Sequence, residues 1–171
     1  MNQLDIIICV IPKIMPDAPT VGPAVLKAHL QDAGFTCEVI DLNVKLYNEF
    51  LKYDDGDQFF DQDAVFKCRD IDNVDKIFGD TYNKYKYFFD EWIEYFVNKN
   101  PKFIGLSLLS VMSSAFAIKL SQLIREHLPE TKIIWGGAEV TRGRTMQYYD
   151  AGLIDHWITG DGEQPIVKLL Q

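Results

Sequence analysis

An unbroken apolar run over residues 6–11, closed by Pro12, predicts a strand buried on both faces by flanking helices. A loop with Pro12, Pro16 and Pro19 follows, and Thr20 stands where it can cap a helix carrying Leu26, Leu30 and Ala33 on one face before Gly34. Residues 35–42 read as a second strand ending near Asp41, returned beside the first by a right-handed crossover. After a long interval the alternation resumes with a strand over 103–109, a helix over 113–128, a strand over 132–135, a short helix over 144–150 and a strand over 154–159. Within 113–128, Phe116, Leu120, Leu123 and Ile124 form the buried stripe, and Pro129 is the stop signal. Asp161-Gly162-Glu163 then opens a last helix.

Five strands alternating with helices predict one α/β domain over residues 1–171: a doubly wound, Rossmann-like or flavodoxin-like parallel sheet in the order 2-1-3-4-5. The interval between the second and third strands is far longer than a crossover needs. Residues 43–100 hold most of the aromatics, with Tyr82, Tyr85, Phe89, Trp92 and Phe96 at three- and four-residue steps along one helix face. A helical insertion packed on the domain is the simpler expectation; a docking surface for another domain is the functional one. Asp54-Asp55-Gly56-Asp57 within it lacks the spacing and closing glutamate of a calcium loop and reads as a solvated turn.

Charge narrows the partners. The 171 residues carry 25 acidic against 17 basic side chains, a formal net charge of -8, which disfavours a nucleic-acid surface. Cys9, Cys37 and Cys68 are odd in number and widely spaced, so they read as free thiols in a reducing compartment. With no leader sequence and no apolar run of membrane-spanning length, the expected location is cytoplasmic, with no membrane partner.

Ligands of open parallel sheets bind outside the carboxyl ends of the strands. The first such turn, Pro12-Lys13-Ile14-Met15-Pro16, has no glycine-rich phosphate cradle, no paired acids of a receiver domain and no flavodoxin-type loop. The third, Gly105-Leu106-Ser107-Leu108-Leu109-Ser110, sets small and hydroxyl residues at a strand end. Such a serine taken alone most simply satisfies nearby backbone; its other role is to meet a ligand. The fourth, Gly136-Gly137-Ala138, removes side chains where the crevice should lie, although a tight turn needing positive φ explains two glycines as well. In the fifth, Gly160-Asp161-Gly162-Glu163, helix capping accounts for the acids, with Glu163 as a ligand contact the lesser alternative. His29, His127 and His156 lie on different elements without ligand spacing, and no Gly-x-Ser-x-Gly elbow occurs, so no catalytic or metal-ligating residue is assigned.

Taken in order, these segments resemble the cobalamin-binding domain at the N-terminus of many radical S-adenosylmethionine enzymes. The resemblance runs through the helix over 19–34, Val39-Ile40-Asp41, the third turn, Ile134-Trp135-Gly136-Gly137-Ala138 with Thr141, and the fifth turn. It implies a slot beside Ser107, Gly136 and Gly137 for the dimethylbenzimidazole tail of cobalamin, with the serine hydrogen-bonding a ring nitrogen or phosphate. Leu109, Ser110, Ala138, Gly160 and Glu163 belong to the same implied cofactor-binding set, and the corrin would lie across the carboxyl edge of the sheet. Classical cobalamin domains carry Asp-x-His-x-x-Gly after the first strand, with the histidine as lower cobalt ligand; many radical members lack it, and this chain, with no histidine there, is similar to the subgroup in which no protein histidine ligates cobalt. A Cys-x-x-x-Cys-x-x-Cys motif is also absent, so S-adenosylmethionine and a 4Fe–4S cluster are expected only in a following catalytic domain, the implied partner. The end at Leu169-Leu170-Gln171, inside an expected helix, suggests a fragment of such an enzyme, whose barrel would perform methyl transfer or related radical chemistry. The alternative is a cofactor-free interaction or substrate-gating domain that docks through the aromatic segment; a flavin or nucleotide carrier is the weakest option.

Overall fold

All five side chains of β1 (Ile6–Val10) are buried, as an apolar run at the centre of a two-sided sheet must be. The structure is a computed structural model that describes residues 3–12, 14, 16, 20–52, 69–143 and 145–171. Around β1 pair β2 (Cys37–Asp41), β3 (Phe103–Ser107), β4 (Lys132–Gly136) and β5 (His156–Trp157), all parallel, in the order β2-β1-β3-β4-β5. The described helices are α1 (Val21–Asp32), α2 (Leu42–Lys52), α3 (Val74–Lys99), α4 (Ser114–His127), α5 (Ala138–Thr141), α6 (Met146–Asp150) and α7 (Glu163–Leu170). The chain therefore has the flavodoxin-like, doubly wound fold that its alternating pattern predicts.

Period-two alternation assigns the two faces. Ile6, Ile8 and Ile134 pack with Leu30 of α1 and Ile166 of α7, whereas Ile7, Cys9, Ile104, Leu106, Ile133 and Trp135 join α3 and α4 in the larger core. On the α1/α7 face, the carboxyl halves of β3 and β4 thus present Gly105, Ser107 and Gly136, where little side chain fills the layer. The last rung of the register aligns Asp41, Val10, Ser107 and Gly136 across four strands.

Within the long interval between β2 and β3, α2 and α3 are helical, and α3 packs on the domain, as the simpler expectation has it. Phe78, Phe89, Trp92 and Phe96 are buried in the main core, with the Phe78 and Phe116 rings 5.3 Å apart, edge to face. This helix covers one sheet face alongside α4, and Phe89, Trp92 and Phe96 of the stripe that suggested a docking surface are turned inward. Glu38 of β2 holds its far end, accepting hydrogen bonds from the Tyr95 hydroxyl at 2.5 Å and Lys99 Nζ at 2.7 Å. The side chains of Tyr82 and Tyr85, the segment Asp54-Asp55-Gly56-Asp57 and Cys68 lie outside the described residues.

Several boundaries differ from expectation. Thr20 is the N-cap of α1 by backbone but makes no side-chain capping bond, and Ala33 is exposed at the helix end. The third strand ends at Ser107 rather than running to 109, although the Leu108 amide still donates to the Gly136 carbonyl at 2.8 Å. The fifth strand pairs at two residues only, and the expected 144–150 helix begins at Met146, with Arg144 outside the described residues. Among the described residues, no helix is long and apolar enough to cross a membrane.

Ionic networks gather at the amino edge of the sheet. Asp5 accepts from Lys102 Nζ at 2.7 Å and from the Thr36 amide at 2.9 Å and hydroxyl at 2.8 Å, tying the entrances of β1, β2 and β3. Asp155 likewise accepts from Arg125, Lys132 and the Ile133 amide at the entrance of β4. The Lys102 hydrogen bond, then the Thr36 amide, hold the Asp5 carboxyl down from 3.8 to about 2. A depressed folded-state value means stability that is full above the unfolded pKa and lost as pH falls through the folded one. Asp5→Asn is therefore expected to be less stable than the parent chain at pH 6, with the gap closing between 3.8 and about 2 in urea melts. A gap independent of pH in that window would refute the assignment.

Candidate functional site

The small residues at the carboxyl ends of β3 and β4 leave a cavity of about 330 Å³ between the sheet and the first turns of α1 and α7. That is at the lower end of the roughly 300–1,000 Å³ typical of small-molecule sites. Six of the chain's eleven glycines, Gly22, Gly105, Gly136, Gly137, Gly160 and Gly162, contribute to its lining. Ile8, Leu26, Ile134, Ile158 and Ile166 make the apolar walls, and Thr20, Ser107, Asp161 and Glu163 supply side-chain oxygens. Among the described residues, no lysine, arginine or histidine lines it. The described lining thus suits a flat, uncharged group better than a phosphate chain, whose charge would meet two carboxylates.

Of the residues singled out from sequence, Ser107, Leu109, Gly136, Gly137, Gly160 and Glu163 converge on this cavity, while Ser110 and Ala138 stand outside it. The two serines divide cleanly. Ser110 accepts a hydrogen bond from the Met112 amide at 3.2 Å and caps the 3₁₀ turn Val111–Ser113, the local backbone role open to any such serine. Among the described residues, no group hydrogen-bonds the Ser107 hydroxyl, which stands on the cavity lining at the end of β3. Ala138 is exposed at the start of α5.

The two glycines of the fourth turn also differ. Gly137 has φ +103°, and a Cβ there would lie 2.4 Å from the Leu108 carbonyl oxygen, so the room it frees is taken by the chain's own backbone. This is the tight-turn explanation, and it locks the third and fourth turns together: the Leu108 amide donates to Gly136 O at 2.8 Å, and the Glu139 amide to Leu108 O at 3.1 Å. At Gly136 the nearest atom to an added Cβ is Ile158 O at 3.9 Å, so the missing side chain there does leave open space in the cavity. Gly160, at φ +71°, turns the chain into the fifth loop.

Contributors without a readable sequence signal come from distant segments. Leu26 and Pro23 bring α1 over the cavity, and the buried Asn43 side chain brackets the first turn, accepting from the Ile14 amide at 3.0 Å and donating to the Ile14 carbonyl at 3.1 Å. Buried Glu139 pairs with Arg69 seventy positions away, and the Arg69 carbonyl accepts from the Tyr148 hydroxyl at 2.9 Å, anchoring α5 and α6 behind the glycine turn. Only the apolar and small-residue context flagged these places; their pairings depend on the fold.

Nucleophilic chemistry has little to draw on here. Burial pushes the Cys9 thiol up and that of Cys37 to about 11, so neither holds a thiolate at neutral pH. His29 and His127 are exposed on their helices, and His156 is half-buried on β5, none lining the cavity. Among the described residues, no group of three or more histidine, cysteine or carboxylate side chains could hold a metal ion.

Comparison with protein-family models gives no match, nor does comparison with curated proteins. A solution structure of a response regulator protein from Burkholderia multivorans is similar over 98% of this chain and 93% of its own, at 15% identity and a TM-score of 0.48. A likeness of that degree bears on no residue's role, and the fold stands on the strand order itself.

Proposed function

We propose that the chain is a cobalamin-binding module in which the dimethylbenzimidazole base at the end of the cofactor's nucleotide tail enters the cavity between the sheet, α1 and α7. The observation that carries this reading is a glycine-walled slot at the carboxyl edge, with the unpartnered Ser107 hydroxyl on its lining. Dimethylbenzimidazole is planar, uncharged and apolar apart from one ring nitrogen, which a serine hydroxyl can serve as donor. Open space at Gly136 and the absence of lysine, arginine and histidine among the described lining residues fit that group, whereas a nucleoside triphosphate would meet carboxylates there. The corrin is too wide for the slot and would rest outside it, over the ends of β1 and β3. With no histidine in the first turn, the chain offers cobalt no imidazole from that position.

In this reading the chain binds and orients, and bound cobalamin supplies methyl-transfer or related cobalt chemistry to a radical S-adenosylmethionine domain that holds the iron–sulfur cluster. The cofactor-free docking alternative is weakened, because Phe78, Phe89, Trp92 and Phe96 of α3 are buried, although Tyr87 stays exposed.

Gel filtration of the chain equilibrated with hydroxocobalamin tests the proposal: the red absorbance is expected to travel with the protein. Cobinamide, which keeps the corrin but lacks the nucleotide tail, is expected to bind at least about tenfold more weakly. Absence of comigration with hydroxocobalamin, or equal retention of cobinamide, overturns it.

A further inference from the structure

The cavity is bounded on one side by the turn after β4 and on the other by the turn after β5, and these strands share very little ladder. Their register pairs only Ile134 with His156 and Trp135 with Trp157, and the last rung is Ile158 N to Trp135 O at 2.9 Å. Beyond it the two chains part around the slot. A two-residue edge strand gives its following loop little intrinsic rigidity, since most sheet stability comes from extended cross-strand pairing. Something else must hold Gly160–Glu163 at a fixed distance from Gly136-Gly137.

Thr141 spans that gap. Its hydroxyl accepts a hydrogen bond from the Gly160 amide at 3.0 Å and donates to the Gly137 carbonyl at 3.3 Å, using both capacities of one oxygen. The anchor on the Gly137 side is closely packed: at φ +103° it lies against the Leu108 backbone, where an added Cβ would have no room. Gly160, at φ +71°, turns the chain on the opposite wall. Thr141 is exposed, so the core makes no demand on this side chain.

We infer that Thr141 is a positioning residue that sets the width of the slot by strutting Gly160 against Gly137, and that ligand affinity depends on it. The inference rests on the cobalamin reading of the cavity but concerns a residue outside the cavity lining. Valine is the informative replacement because it keeps the branched shape and removes both hydrogen bonds.

In Thr141→Val, the Gly160 amide is expected to exchange with solvent deuterium at least about tenfold faster, and hydroxocobalamin affinity to fall about tenfold, the worth of one or two ordinary hydrogen bonds. The urea midpoint should stay at the parent value, and Thr141→Ser should restore both exchange and affinity. Unchanged exchange at Gly160, or faster exchange with unaltered affinity, overturns the positioning role while leaving the cobalamin reading intact. Failure of the parent chain to bind hydroxocobalamin overturns both.

Discussion

Gly137→Ala is expected to destabilise the domain by at least about 3 kcal/mol, or to prevent folding, whereas Gly136→Ala should change stability by less than about 1 kcal/mol. The two residues are neighbours with the same side chain, so composition and propensity predict no such contrast. At Gly137 a methyl group meets two obstacles at once. The backbone sits at φ +103° and ψ 179°, a region that is essentially glycine-only, and the new carbon lies 2.4 Å from the Leu108 oxygen. That oxygen cannot swing aside like the tip of a long side chain, because it accepts the Glu139 amide. At Gly136 the φ is not positive and the nearest atom is 3.9 Å away. Urea unfolding of the two alanine variants checks this, and equal losses would show that the interlock of the third and fourth turns is not what the glycine provides.

The second large effect concerns the ligand alone. Gly136→Leu places a branched side chain in the open space beside Ser107, in a cavity of about 330 Å³. Hydroxocobalamin affinity should fall at least about a hundredfold, a loss of roughly 3 kcal/mol, with the unfolding midpoint close to that of the parent. Cobinamide binding, which makes no use of the slot, should be nearly unaffected. A leucine variant that binds cobalamin as well as the parent would show that the tail lies elsewhere.

What could be read from the sequence follows from how local each signal is. The run 6–11, the stripe of α4 and the strand-helix alternation are short-range patterns, and they yield the correct sheet order together with a right-handed crossover rule. Positions at the carboxyl edge were also legible, since Ser107 and Gly136 fall at the ends of readable strands and the register does bring them side by side. The role of α3 was not: three- and four-residue spacing of Phe89, Trp92 and Phe96 reveals an apolar face but not what covers it, and the answer lies in Phe116 of a helix reached only after another strand. Nor could spacing separate Gly136 from Gly137, or Ser107 from Ser110. Those distinctions depend on a carbonyl from another turn and on an amide two residues on. The shortness of β5 escaped for a similar reason: residues 154–159 are apolar enough for a full strand, but an edge position demands few rungs.

The joint between Leu108 and Gly137 is made by main-chain atoms on both sides, which has an evolutionary corollary. Main-chain amides and carbonyls survive any substitution except that proline lacks the N–H, so Leu109, on the cavity lining, can change and retune ligand preference without breaking the joint. The rim can change its chemistry residue by residue while the glycine turn that shapes it tolerates only one amino acid.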